Sequence, residues 1–325
     1  MFRTEIHISH SPSQINLQEK IITTGSCFSD AIGSQLLQNK FDVLVNPFGT
    51  TYNPYSIHKT IRYAIHNQVV PEHTYLENQG IISNYDFHSS FSAPEKSGVE
   101  KKLKELIGAT HYFLKDASWI IITYGTAWIY ERTDTGDIVA NCHKVPSANF
   151  TKSMLSQEKV LESFQEFFTE LKVFNPKCKI ILTVSPVRHI KDTLPSNSVS
   201  KALLRLASQT LSEANSDVFY FPSFEIMMDD LRDYRFYKSD MLHPSEEAEE
   251  YIWNKFIASF LDESTRGFIK QWQPIQTALQ HKPFHPKSTS HQSFLRNTLS
   301  QLEALQKIAN VEREIQFVKS QLTNQ

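Results

Sequence analysis

The chain has little that commits it to a metal, a membrane or a nucleic acid. Its three cysteines, Cys27, Cys142 and Cys178, are odd in number and far apart. They form no Cys-x-x-Cys pair and no zinc set, which fits a reducing compartment rather than a disulfide scaffold. No segment reaches the roughly 18 apolar residues of a membrane span. The opening stretch MFRTEIHISHSPSQINLQEK has no apolar h-region and no small-residue cleavage site, so a cytoplasmic location is expected. Lys plus Arg number 33 against 35 Asp plus Glu, a net charge of -2, which leaves no overall basic field for nucleic acid. Neither a Walker loop nor a GxGxxG fingerprint appears, so no nucleotide cofactor is expected. Asp229, Asp230 and Asp233 cluster, but Arg232 and Arg235 alternate with them and would repel a cation, so no metal is expected either.

What is present reads as an ordinary globule, with 40% hydrophobic and 21% charged residues over 325 positions, enough to bury a large core. Five short apolar runs each end in a polar loop: Ile21-Ile22, Phe41–Val45, Trp119–Ile122, Ile180–Val184 and Val218–Phe221. Runs this short and this apolar suit strands covered on both faces. Helical patterns lie between them, at 29–39, in SIHKTIRYAIHN, in SQEKVLESFQEFFTELKVF and in SVSKALLRLASQTLSEAN. The alternation predicts a three-layer α/β/α sandwich around a mainly parallel sheet. Two β-rich runs flank Asp134–Asp137 and predict an inserted hairpin. The expected core domain spans 1–262, and 263–325 forms a linker followed by an amphipathic C-terminal helix. Leu295, Leu299, Leu302, Leu305, Ile308, Val311, Ile315, Val318 and Leu322 mark its apolar stripe, which either packs on the core or forms a homodimer seam.

The stretch TTGSCFSDAIGSQLL holds the first chemical question. Gly25 permits a tight strand-to-helix turn, and the free N–H groups of the following helix favour negative charge beside it. Ser26 is then a nucleophile or merely a helix N-cap. Cys27 is the competing nucleophile, with an inward-packing thiol as its ordinary reading. Near the end of the core, in SDMLHPSEEAEEYIWNKF, Asp240 and His243 are three apart and Pro244 is expected in the first turn of a helix. A carboxylate can fix one imidazole nitrogen while the other faces a nucleophile.

Gly-Ser at the first turn with Asp-x-x-His in the last core loop resembles the SGNH (GDSL-like) hydrolase superfamily. The sequence is similar in particular to the bacterial GSCFA family, through Gly25-Ser26-Cys27-Phe28-Ser29, NPFGTTYNPYSI, DFHSSFS, ANCHKVP, SPVRH and RDYRFYKSDMLHPS. Ser29 stands where the family name has Ala. The resemblance implies an SGNH-like fold with Ser26 as nucleophile, His243 as base and Asp240 as its orienter. It implies backbone N–H groups of Gly49 and Ser26 in the oxyanion hole. The superfamily's oxyanion Asn is missing from Gly125-Thr126-Ala127-Trp128, so Thr126, Asn141 or His143 is expected to replace it.

Other candidates remain open between structure and function. His88 and Asp86 sit in an aromatic loop that either faces substrate or packs. Asn141 and His143 are expected to share one side of a strand. Arg188 and His189 follow a strand end, where they bind an anionic or sugar substrate or make a structural ion pair. The reading is a Ser-dependent acyl ester hydrolase acting on a small-molecule or glycan ester. An acyltransferase, a non-catalytic ligand-binding member of the fold, and an assembly module built on the C-terminal helix are the alternatives.

Overall fold

The computed structural model describes residues 3–323. Its centre is a five-stranded sheet in which all neighbours run parallel. The strands are β1 (Ile21–Gly25), β2 (Val43–Val45), β5 (Trp119–Tyr124), β9 (Lys179–Val184) and β10 (Val218–Phe221), in the order β10-β9-β5-β1-β2. All five correspond to the apolar runs of the sequence. The central strands β1 and β5 are buried along their whole length, as two covered faces require.

Helices cover both faces. On one side lie α2 (Pro54–His66), α3 (Lys96–Asp116), α4 (Gln157–Phe174) and α5 (Leu194–Ala214), whose Ile57, Leu103, Phe164 and Leu204 share a core with Ile120 and Leu182. On the other lie α1 (Cys27–Gln38) and α7 (Glu246–Phe260), with Ile32, Leu36, Trp253 and Phe256 packed on Ile21 and Ile181. A short α6 (Ser223–Glu225) and a wide turn over Ile226–Asp230 lead from β10 towards α7.

The insertion is larger than a hairpin. β6 (Trp128–Arg132) pairs with β7 (Ile138–Val139) across the expected loop and also with β8 (Phe150–Met154), giving a three-stranded antiparallel sheet. A further hairpin, β3 (Tyr75–Asn78) with β4 (Ile81–Asn84), turns on Gln79 and Gly80, both at positive φ.

The C-terminal region departs from its sequence pattern in two ways. The expected linker is mostly helix: α8 (Glu263–Gln280) starts directly after α7, capped by Asp262 through the Thr265 N–H at 2.7 Å. The expected single helix is two, α9 (Thr289–Leu305) and α10 (Glu312–Gln321). Leu295, Leu302, Leu305, Val311, Ile315 and Val318 all join the same core as α1 and α7. The apolar stripe is therefore covered by the chain itself. Trp272 Nε1 and Gln276 Nε2 of α8 donate to the Gln38 carbonyl, at 2.8 and 2.6 Å, and so cap the far end of α1.

Candidate active site

The turn between β1 and α1 is held rigidly. Gly25 has φ +125, and a Cβ there would lie 2.2 Å from the Thr123 carbonyl oxygen, so no other residue fits. Its N–H donates to Asn46 Oδ1 at 3.0 Å, and Asn46 Nδ2 reaches Asp30 Oδ1 at 3.1 Å. Thr51 N–H donates to the Gly25 carbonyl at 2.9 Å. The turn is thereby tied to the loop following β2, and the Ser26 N–H ties it to Thr123 of β5.

This geometry separates Ser26 from Cys27. Ser26 occupies the N-cap position of α1 with extended backbone, but its side chain makes no cap hydrogen bond. It is 0% exposed, and its Oγ has no hydrogen-bond partner. No hydrogen bond joins Ser26 Oγ to His243. The Ser26 Cβ lies under Gly125, where an added Cβ would approach it to 3.2 Å. Cys27, at the first helical position, is rotated by roughly 100° about the helix axis. It is half-buried and lines, together with His243, a cavity of about 980 Å³ over the carboxyl ends of the strands. Cys27 is thus less buried than the inward-packing reading expects, and of the two residues it is the one that lines the cavity.

Burial pushes the Cys27 thiol above its ordinary pKa, and Asp30 adds to the rise; Lys201 and the N–H groups of Cys27 and Phe28 pull the other way. The resting group is a thiol at neutral pH, which needs a base. His243 Nδ1 lies 2.6 Å from Asp240 Oδ2, while Asp240 Oδ1 accepts the Leu242 and His243 N–H groups at 2.8 and 3.0 Å. Those two N–H bonds, with the His243 side chain, hold the Asp240 carboxyl down at about 2. An ionised Asp240 fixes the proton on Nδ1 and leaves Nε2 as acceptor. Pro244 is not in the first turn of α7; Ser245 caps that helix through the Ala248 N–H at 3.3 Å. The loop is braced instead by Lys238 N–H to the His243 carbonyl and Ser245 N–H to the Phe236 carbonyl, at 2.8 and 2.7 Å.

The expected oxyanion donors are engaged elsewhere. Ser26 N–H donates to the Thr123 carbonyl at 3.0 Å and Gly49 N–H to the Asn46 carbonyl at 2.8 Å. Gly49, at φ +72, is required by space, since a Cβ would meet His88 Cβ at 2.5 Å. Thr126 Oγ1 is 3.1 Å from Ser200 Oγ and accepts the Trp128 N–H at 3.2 Å. Asn141 and His143 are not on a strand: β7 ends at Val139, and His143 turns at φ 48. Asn141 Nδ2 donates to Ser89 Oγ at 3.1 Å, and His143 Nε2 to the Asn84 carbonyl at 2.7 Å. Thr126, Asn141, His143, His88 and Arg188 nevertheless all line the cavity with Cys27 and His243. Asp86 is turned away, buried against Tyr63 OH at 2.8 Å and Lys59 Nζ at 2.7 Å. The Asp229–Arg235 segment serves as scaffold, with Asp230 accepting from Tyr251 OH at 2.7 Å.

One residue, Lys201, escaped the sequence reading. It lies on α5, is fully buried and donates to the Gly125 and Ser185 carbonyls at 2.7 Å each, joining the ends of β5 and β9. Burial lowers its ammonium to about 7. The signal was its place on the apolar face of α5, in line with Asn197, Leu204, Ser208 and Leu211. His189, which stacks edge-on against Tyr52 at 5.3 Å, is neutral, since burial brings it down to about 4. Its Nε2 and Trp128 Nε1 are enclosed without partners in the cavity wall. A second cavity, about 820 Å³ between Asn16–Gln18 and Gln306–Asn310, is lined by none of these residues. Among the described residues no group of His, Cys, Asp and Glu is placed to hold a metal, and no helix is long and apolar enough to cross a membrane.

A parallel α/β sandwich with a thiol, an imidazole and a carboxylate gathered at the carboxyl ends of its strands has the layout of a ligand-binding α/β domain. The chain belongs to the GSCFA family: residues 20–256 match that family, and residues 272–324 match the GSCFA domain protein C-terminal domain. No curated protein matches it. Among solved structures it is similar to a carbohydrate esterase family 3 protein from Talaromyces cellulolyticus, at 9% identity over 79% of this chain and 99% of that one, TM-score 0.35. It is also similar to a carbohydrate esterase family 2 enzyme with its carbohydrate binding domain from Corynascus thermopiles (Myceliophthora fergusii), at 10% identity over 80% and 69% of the two chains, TM-score 0.36. An acetyl xylan esterase from the rumen bacterium Butyrivibrio proteoclasticus matches at 12% identity over 79% and 66%, TM-score 0.37.

Proposed function

We propose that the protein is an acyl ester hydrolase that works through a covalent acyl-enzyme on Cys27. The observation that carries this reading is the shared cavity: Cys27 and His243 line it, His243 is bonded to Asp240 at 2.6 Å, and Ser26 is sealed beneath. Cys27 Sγ attacks the ester carbonyl while its proton passes to His243 Nε2. The carbon–oxygen bond then breaks, and the alcohol leaves with that proton. Water, deprotonated by the same nitrogen, cleaves the thioester, releases the acid and restores the thiol. Trp128 Nε1–H, and His189 with its proton on Nε2, are the side chains proposed to meet the developing oxyanion, since neither nitrogen has another partner among the described residues. Small acyl groups on a carbohydrate or another alcohol are the proposed substrates.

The test is acylation followed by peptide mass mapping. Incubation with p-nitrophenyl acetate should add one acetyl group to Cys27. Cys27→Ala should abolish both adduct and turnover, whereas Ser26→Ala should keep both. An adduct on Ser26 moves the nucleophile back one residue. No adduct and no turnover with any ester would leave a ligand-binding protein and end the hydrolase reading.

A further inference from the structure

We infer that the substrate is an anionic acyl ester, bearing a phosphate or a carboxylate in its alcohol half. This rests on the reading of the cavity as an acyl-ester site. Four cationic side chains, Lys144, Lys152, Arg188 and Lys191, line that cavity against a single carboxylate, Asp192. The whole chain has 33 cationic and 35 anionic residues, so the imbalance belongs to this surface and not to the composition. Asp192 is already taken, because it pairs with Lys152. Lys144, Arg188 and Lys191 form no ion pair among the described residues.

Of these three cations Arg188 is held by side-chain contacts, and Lys144 and Lys191 are exposed at the cavity rim. Arg188 lies over the Tyr237 ring at 4.4 Å and the Tyr234 ring at 5.5 Å. Its backbone N–H reaches the Leu242 carbonyl at 3.4 Å, in the loop that carries His243. The guanidinium makes no side-chain hydrogen bond or ion pair among the described residues beyond these rings, so its fork of donors is free to take a planar or tetrahedral anion. Lys144 follows His143, and both have left-handed backbone, φ 60 and 48. Such conformations cost energy in residues other than glycine, and here two in succession direct the chain along the cavity wall. Lys191 sits in the short 3-10 turn Ile190–Asp192. Trp128, Tyr130 and Phe150 supply an aromatic wall beside these charges, suited to a sugar ring or an acyl chain. Unpaired cations around a concave, low-dielectric site concentrate anions by field alone.

The experiment compares three esters with the same reacting group: monoacetylated glucose, glucose 6-phosphate and glucuronate. Acetate release should favour an anionic ester over the neutral one by about tenfold or more in kcat/KM. That ratio should shrink as ionic strength rises past the screening range. Arg188→Gln and Lys191→Gln should each lower the ratio several-fold through KM, with the phosphate and carboxylate arms telling which anion is read. In parallel, calorimetry with Cys27→Ala protein measures binding of the same esters without turnover. Tighter binding of an anionic ester supports the inference even if no hydrolysis is found, in which case only the hydrolase reading falls. Equal binding and equal turnover of all three, insensitive to salt, would overturn the inference while an acetylated Cys27 still upheld the reaction.

Discussion

Lys201→Met tests the electrostatics of the site through stability. The ammonium is fully buried and its pKa falls from 10.5 to about 7. Between those values the unfolded chain holds a proton that the folded chain releases, so stability rises with pH across that window and the penalty is complete below it. Linkage puts the gain at about 2 kcal/mol between about pH 7 and about pH 9, of about 5 kcal/mol in total. The methionine variant has no such proton, and its stability should lack this contribution. At neutral pH two terms nearly cancel in the variant. Gly125 and Ser185 lose their donors, at roughly 1–3 kcal/mol each, while the buried charge is relieved. A single measurement at pH 7 is therefore uninformative, and the pH difference decides. Urea denaturation of both proteins at about pH 7, 8 and 9 gives two curves whose separation should narrow or cross by about 2 kcal/mol, in favour of the wild type at high pH. Parallel curves within about 0.5 kcal/mol would refute the burial argument.

Gly25→Ala should cost about 3 kcal/mol or more in denaturant unfolding, since its Cβ would stand 2.2 Å from a carbonyl that already accepts the Ser26 N–H; a loss under about 1 kcal/mol would mean that the turn yields. Asp240→Asn keeps the acceptor for Leu242 and His243 N–H but presents an amide to Nδ1, which favours the wrong imidazole tautomer. Turnover should fall roughly a thousandfold or more with KM little changed, and a fall of under tenfold would remove Asp240 from the mechanism. Alkylation of Cys27 by iodoacetamide should keep accelerating above the pH at which a free thiol levels off, because its pKa is raised; a plateau near neutrality would show a pre-formed thiolate. Truncation at residue 262 should give an aggregating chain in static light scattering, as α8–α10 share one apolar core with Ile32 and Leu36 of α1 and Trp253 of α7.

The five strands and their covering helices were legible because buried parallel strands concentrate apolar residues into short runs that little else produces. The C-terminal break was not. The three- and four-residue spacing continues through Ile308 and Val311, and one long helix and two folded on each other share that period. The β3–β4 hairpin was hidden by its polar strands and by Gln79 at a left-handed position that Asn or Gly usually fills. At the site, Asp240 and His243 were readable as a pair because three residues of spacing suffice to bring them together. Which of two adjacent residues faces the cavity was not readable. Ser26 and Cys27 differ only in the rotation at which a strand becomes a helix, and that is set by Gly25, Asn46 and the Thr123 carbonyl from three separate segments. Lys201 was missed because a helical stripe containing one lysine is ordinarily completed by solvent at that position.

The two side chains of α8 that close the Gln38 carbonyl act at the opposite end of α1 from Cys27. A helix of 12 residues spans about 18 Å and moves as a rod. Its position along its own axis is thus gripped twice, by the Gly25 turn in front and by α8 behind. A helix whose side chains lie 234 and 238 residues beyond Gln38 helps to set the depth at which the first helix presents Cys27. Without α8 the Gln38 carbonyl would lose both of its side-chain donors, and α1 would be held along its axis only from the end that carries Cys27.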